Sequence, residues 1–364
     1  MKNILKMKTI KTEFPPTLMI GNKLVGENAP CLIIAEAGSN YNGSLEIAKK
    51  LVDAAVEAHA DVVKFQTFKA DLIVTKSTPK AQYQKQGEND GQSYYDLLKW
   101  LEIPDEDWRK LKQYCDQKGI IFMSTPHSGK WSVDILEKLG VPAYKLGSGD
   151  LTNLPFLEYV AKKGKPLIIS TGMAVMAEIK EAVETIHAAG NYQLAVLQCT
   201  TSYPLEIEDV NLRAMDTISQ EVGTIVGFSD HTLGNEAALA AVARGAKIIE
   251  KHFTIDKNLP GPDHKASATP EEFRELVTGI RKVEKALGSA EKIPTAIEQE
   301  IAKIARKSII AAKYIPTGTL ITEDMLAIKR PGTGLLPKQL NEVIGKRAKE
   351  DLSPDTIISW EMLE

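Results

Sequence analysis

Eight short apolar, β-rich runs, each followed by a stretch of helical character, constrain this chain more than any other feature. They are CLIIAEAG (31–38), DVVKFQ (61–66), GIIFMSTP (119–126), PAYKLGSGD (142–150), KPLIISTG (165–172), QLAVLQCT (193–200), TIVGFSDHT (224–232) and KIIEKHFT (247–254). Between them lie patterns such as 44–58, where Leu45, Ala48, Leu51, Val52 and Ala55 share one helical face, and 176–189 behaves likewise. Eight strand–helix units require a parallel sheet, and right-handed crossovers close eight of them into a (β/α)8, or TIM, barrel. An open doubly wound sheet is the alternative. It wants a glycine-rich fingerprint after the first strand, and EAGSNYNG is not one. The preceding TLMIGNKLVGENAP (17–30) reads as a hairpin placed to plug the barrel floor.

The alternation stops near Gly288. The reading divides the chain into a barrel with its N-terminal hairpin (1–288), a linker (289–302) and a small domain (303–364) of short β pieces, SIIAAKYI, TLITEDML and AIKRPG. A domain of about 60 residues is near the lower limit for independent stability. A net charge of −3 with scattered Lys and Arg argues against nucleic acid as a partner. The basic N-terminus lacks the continuous apolar segment of an export signal, and no apolar run reaches membrane-spanning length. Three widely spaced cysteines, Cys31, Cys115 and Cys199, point to a reducing, cytoplasmic setting.

A (β/α)8 barrel carries its active site at the C-terminal ends of its strands. Here those ends are polar: Glu36, Lys64 and Gln66, Ser124 and Thr125, Lys145 and Ser148, Ser170 and Thr171, Gln198, Ser229 to His231, and Glu250 to His252. Burying a lone ammonium is expensive. Lys64 and Lys145 are therefore either paired with a carboxylate such as Glu36 or arranged, with Thr125, Ser148, Ser170 and Ser229, as an anion cradle for a phosphate. His231 and His252 end adjacent strands, about 4.8 Å apart, and together suit a divalent ion with open positions. Asp230 and Glu250 are expected to orient the rings. His264 and Asp263, on the following loop, are expected to touch substrate, and His127 to line the cup. Cys199 reads as a packed thiol, since no base lies near it in sequence. These residues suit an aldol-like or phosphate-releasing reaction at a polarised carbonyl.

The motifs IIAEAGSNYNG, VVKFQTF, AYKLGSGD, IISTGM, GFSDHT and EKHFT with GPDHKAS resemble, in order and spacing, the sialic acid synthase family. The tail, ARKSI, AIKRPGTGL and IGKRAKED, resembles its antifreeze-like (SAF) domain. The resemblance implies a (β/α)8 barrel joined to a small C-terminal SAF domain. It also implies condensation of phosphoenolpyruvate with an N-acetylated amino sugar, releasing phosphate. On that basis Lys64, Thr125, Lys145, Ser148, Ser170 and Ser229 would hold phosphoenolpyruvate. His231 and His252 would hold a divalent ion, Mn2+ before Mg2+ or Co2+. Gln66, Tyr203, Asp263 and, from a partner subunit of a domain-swapped homodimer, Arg330 would meet the sugar. Glu36 and Asp150 would carry protons. Asp150 stands where the family has Glu, and Thr201 or Ser202 where it has Asn. The choice between N-acetylneuraminate synthase and legionaminate synthase, which uses 2,4-diacetamido-2,4,6-trideoxymannose, therefore stays open. A reading of another class is a non-catalytic coat or glycan-binding protein.

Overall fold

The structure, a computed structural model, describes residues 14–80 and 93–364. The basic residues 1–13, part of the stretch read as carrying no export signal, lie outside them. Among the described residues no helix is long and apolar enough to cross a membrane. The chain divides into two compact units, Met1–Gly288 and Ser289–Glu364.

The first unit opens with an antiparallel hairpin, β1 (Thr17–Ile20) and β2 (Lys23–Gly26). Eight parallel strands follow: β3 (Leu32–Gly38), β4 (Val62–Thr67), β5 (Ile121–Pro126), β6 (Tyr144–Leu146), β7 (Leu167–Ser170), β8 (Leu194–Cys199), β9 (Ile225–Asp230) and β10 (Ile248–His252). They form one sheet in the order β5-β4-β3-β10-β9-β8-β7-β6. The first strand pairs with the last, and β5 meets β6 across the seam of a nearly closed barrel. The helices between them include α1 (Leu45–Glu57), whose first turn is capped by Ser44 and which buries Ala48, Leu51, Val52 and Ala55. The last, over Pro270–Leu287, starts in a reciprocal cap between Thr269 and Glu272.

The barrel interior is layered by the two-residue period of the strands. At the floor, Ile34, Val62, Met123, Ala143, Ile168, Leu197 and Ile248 close an apolar cluster with Leu18, Ile20 and Val25 of the hairpin. The hairpin therefore plugs the floor, and burial of Leu18, Ile20 and Val25 contributes roughly 1.5–3 kcal/mol each. Gly227 faces the same interior, where a Cβ would come within 2.5 Å of the Ile248 carbonyl oxygen and Leu197 Cδ2. Two residues further along each strand the inward positions are Glu36, Lys64, Thr125, Lys145, Ser170, Cys199, Ser229 and Glu250, all buried. The opposite parity faces the helices and forms the larger core.

The second unit differs in part from its sequence reading. The stretch 289–302, read as a linker, carries a helix over Ala296–Ala305, started by the Thr295–Glu298 cap. Its residues Ile297, Ile301 and Ile304 are exposed. Beyond it, β11 (Ser308–Ala311) pairs with β12 (Leu326–Lys329), whereas most of TLITEDML is irregular, with a 3-10 turn at Glu323–Met325. Ile309, Ile315, Ile321, Val343, Leu352 and Ile358 make its small core.

Candidate active site

The polar layer at the strand ends lines a cavity of about 160 Å³. Glu36, Lys64, Gln66, Thr125, Lys145, Ser148, Ser170, Tyr203, Ser229, His231 and His252 all reach it, so the barrel brings together most of the residues singled out from the sequence. Gly38 (φ +53°) stands where Glu36, Gln66 and Asp263 converge; a Cβ there would lie 3.3 Å from Glu36 Oε1 and 3.4 Å from Gln66 Nε2.

The lysines are paired with carboxylates, and the hydroxyls named with them stand alongside. Lys64 Nζ lies 2.5 Å from Glu36 Oε2 and donates to Thr125 Oγ1 at 3.0 Å. Lys145 Nζ donates to Ser170 Oγ at 2.7 Å. Glu250 links the two, 3.6 Å from Lys64 Nζ and 3.4 Å from Lys145 Nζ, and accepts from Ser229 Oγ at 3.0 Å. Two lysines and two carboxyl groups, each nearly buried, thus face one another at the bottom of the cup. An anion entering between the lysines would meet hydroxyls already aligned.

Their titration follows from that packing. Burial is the largest influence on Glu36; the attraction of Lys64 opposes it and Glu250 reinforces it, so this carboxyl is pushed up to about 7. Burial acts on Glu250 in the same sense, but Lys145 and Lys64 outweigh it and hold it near 2. Burial lowers Lys145 below its ordinary value, while the two carboxylates outweigh burial at Lys64 and raise it. Raised into the neutral range, Glu36 is able to take or give a proton there.

The imidazoles of His231 and His252 stand 5.4 Å apart between ring centroids, with Tyr203 4.1 Å from the first and 5.3 Å from the second. His231 Nδ1 lies 2.8 Å from the Thr200 carbonyl oxygen, so it is the proton-bearing nitrogen and Nε2 is free to coordinate. His252 Nδ1 is buried without a partner. Burial, reinforced by His231 and Lys64, holds His252 neutral well below its ordinary value. A neutral ring with an orphaned nitrogen beside a second oriented ring fits a divalent cation. Among the described residues no group of three or more His, Cys, Asp and Glu clusters in that way. Two protein ligands would leave the remaining positions to water or substrate.

Several expectations change. Asp230 does not orient a ring; it faces outward and pairs with Lys251 at 2.7 Å. Glu250 also holds no imidazole, because its strand position points it between the lysines. His264 is buried in its own loop, Nδ1 against Thr254 Oγ1 at 2.7 Å and Nε2 against Asn42 Oδ1 at 3.1 Å, and serves that loop. Asp150 ends a 3-10 turn (Ser148–Asp150) that brings Ser148, but not Asp150, into the lining of the cup. Ser148 Oγ instead accepts from the Gly172 amide at 2.9 Å. Cys199 is packed as expected, yet His231 Nδ1 lies 4.0 Å from its sulfur, a neighbour that sequence distance conceals. Asp263 is buried at the edge of the cup, with Ser39 Oγ 3.4 Å away, and burial raises it to about 6. Arg330 lies exposed after β12 in the second unit. The one residue of weight missed as part of the cradle is Glu250. The inward parity shared by Lys64, Lys145 and Glu250 was the signal that could have found it.

Comparison with known proteins adds an independent view. The NeuB family model matches residues 51–292, and a SAF domain model matches 306–364. The chain is 45% identical to the N,N'-diacetyllegionaminic acid synthase of Legionella pneumophila, over 94% of this chain and 98% of that one. It is 37% identical to human N-acetylneuraminate-9-phosphate synthase, covering 93% and 94%. Among solved structures, the N-acetylneuraminic acid synthetase of Leptospira borgpetersenii aligns with a TM-score of 0.69 at 35% identity, over 78% of this chain and 94% of that one.

Proposed function

The chain belongs to the NeuB family, and from that premise we propose that it is a sialic acid synthase in the broad sense. It condenses phosphoenolpyruvate with an N-acetylated amino sugar, N-acetylmannosamine or 2,4-diacetamido-2,4,6-trideoxymannose, and releases phosphate by C–O cleavage. The observation that carries this reading is the buried arrangement of Lys64 and Lys145 around Glu250 beneath two paired imidazoles.

Lys64, Lys145 and the hydroxyls of Thr125, Ser148, Ser170 and Ser229 bind the phosphate and carboxylate oxygens, and the lysines stabilise the phosphate as it departs. His231 and His252 would hold a divalent ion, Mn2+ by preference, which when bound supplies Lewis-acid polarisation of the sugar aldehyde. The nucleophilic C3 of phosphoenolpyruvate attacks that aldehyde carbon, and water adds at C2. Glu36, poised near neutrality, takes the proton of that water. The former aldehyde oxygen takes up that proton to become the product hydroxyl, and the tetrahedral carbon then expels phosphate, the C2 hydroxyl proton leaving with it as C2 becomes a ketone. Gln66, whose Nε2 donates to Glu36 Oε1 at 3.2 Å, holds the carboxylate in place. Tyr203 and Asp263 face the sugar.

The proposal extends to a homodimer in which Arg330 of one subunit meets the sugar in the other, and to a cytoplasmic location. The exposed Ile297, Ile301 and Ile304 support the first, and three free, buried thiols the second. A purely glycan-binding role would leave four buried charged groups without a purpose. The test is phosphate release from phosphoenolpyruvate with each amino sugar, with manganese and with chelator. No release with either sugar would overturn the proposal.

A further inference from the structure

Asp263 is held from behind by an interlock of two backbone segments at the mouth of the barrel. One segment is the turn from β3 into α1, residues 39–42. The other is the loop after β10, residues 253–268, which folds back on its own strand. The Ala268 amide donates to the His252 carbonyl at 2.8 Å and the Thr254 amide to the Ala268 carbonyl at 3.0 Å. Three side-chain pairs, 222 to 227 positions apart in the chain, join turn to loop. Ser39 Oγ donates to Asp263 Oδ2 at 3.4 Å, Asn40 Nδ2 donates to Ser267 Oγ at 2.9 Å, and Asn42 Oδ1 lies 3.1 Å from His264 Nε2.

Asn40 is the centre of this interlock. It is fully buried, and its side-chain nitrogen uses both hydrogens, one on the Phe253 carbonyl at 2.9 Å and one on Ser267 Oγ. The Ser267 hydroxyl accepts there and donates in turn to the Asp263 carbonyl oxygen at 2.7 Å. Asn40 Oδ1 is buried without a partner among the described residues. The side chain is therefore placed for its two donors, not for its acceptor. The Asn40 amide donates to the Ala37 carbonyl at 2.9 Å, and the Phe253 amide to the Glu36 carbonyl at 2.7 Å. One buried run of hydrogen bonds thus connects the end of β3 beyond Glu36, the end of β10 beyond His252, and the backbone of Asp263.

The reach of that run decides where the Asp263 carboxyl stands. A Cβ on Gly38 would lie 3.8 Å from Asp263 Oδ2 and 3.3 Å from Glu36 Oε1, so the two carboxyl groups flank one point of the chain. Ser39 Oγ, at 3.4 Å, is too distant to aim the Asp263 carboxyl firmly, and the aim rests on the backbone instead. Neither Asn40 nor Ser267 is among the described residues that line the cup. Resting on the reading that Asp263 meets the acceptor sugar, we infer that Asn40 and Ser267 are positioning residues of the condensation. Together they hold the Asp263 backbone where its carboxyl reaches the sugar, and they act through Asp263 alone. A displacement of about 1 Å at such a contact is enough to slow a reaction by one to two powers of ten.

The experiment reads phosphate release, with manganese present and with whichever of the two amino sugars the wild-type chain turns over. Ser267→Ala breaks the run by removing one hydroxyl, and its circular dichroism spectrum should match that of the wild type. It should raise the sugar KM roughly tenfold, while the phosphoenolpyruvate KM, set by the lysine cradle on other strands, stays unchanged. Asn40→Ala should act in the same direction, and the double variant should lose no more than the worse of the two. Placed on Asp263→Ala, which itself raises the sugar KM, Ser267→Ala should cause no further loss in kcat/KM for the sugar, because the group it aims is gone. A residue that merely supports the fold would lower it again. Equal rises in both KM values, an unchanged sugar KM in Ser267→Ala or in Asp263→Ala, or a full additional loss in the combined variant would overturn this inference alone. No release by the wild-type chain with either sugar would overturn the parent reading and this one with it.

Discussion

Lys251 and Asp230 are ladder partners on β10 and β9, and they form a fully buried ion pair behind the strand ends whose next residues are His252 and His231. Lys251 Nζ donates to Asp230 Oδ2 and to the Thr232 carbonyl, both at 2.7 Å, and Asp230 Oδ1 accepts from the Thr232 amide at 2.9 Å. The pair ties the outer faces of the two strands together while the imidazoles face inward. Asp230→Ala would strand a buried ammonium, and we expect it to cost about 3–5 kcal/mol in denaturant unfolding. A loss indistinguishable from that of a surface substitution would show that the pair does not hold these strand ends.

His252→Ala is expected to abolish metal-dependent phosphate release and to weaken cation binding, read directly by calorimetric titration with Mn2+. Because the ring is neutral and its Nδ1 unpartnered, the circular dichroism spectrum should be preserved. Full activity in this variant would remove the metal from the mechanism.

Lys64→Met leaves Glu36 and Glu250 short of a counter-charge, so it should lower stability as well as raise the KM for phosphoenolpyruvate. Adding Glu36→Gln removes one of the stranded carboxylates and should recover part of the stability but none of the affinity. Additive losses in the double variant, measured by thermal and denaturant unfolding, would contradict the pairing seen here.

Burial raises Asp150 from 3.8 to about 6. Its folded state therefore favours the proton, and the associated stability is fully present below about pH 4 and lost as the pH rises through 6. The loss is on the order of 1–3 kcal/mol. Asp150→Asn should flatten the stability profile over that window. Because Asp150 lies outside the cup lining, phosphate release should survive the change. An unchanged profile would show that Asp150 is solvated.

If Arg330 acts across a homodimer, co-expressed Arg330→Ala and His252→Ala chains should show, at low sugar concentration, more activity than either chain alone, since one mixed site then carries both residues. Arg330→Ala alone should raise the sugar KM far more than that of phosphoenolpyruvate. No gain on mixing, with dimers confirmed by sedimentation, would rule out action in trans.

The order of elements was legible along the chain because strand and helix periods are local. Eight two-residue alternations separated by helical stripes admit few arrangements besides a barrel, and the rim of polar residues follows from where each strand leaves the core. The same alternation placed Lys64, Lys145, His231 and His252 at the mouth. What the chain order does not carry is which neighbour each side chain finds. Glu250 sits between two lysines 105 and 186 positions away because of the closing register of β10 on β3 and β9. Asp230, one residue before a candidate ligand, turns outward to Lys251 because successive strand residues face opposite ways. Asp150 is excluded from the cup by a 3-10 turn that presents Ser148 instead. The apolar cluster after β4 forms where residues around 68–73 and 97–101 pack on each other. Those choices depend on cross-strand register and on packing between distant segments, which a local period does not specify.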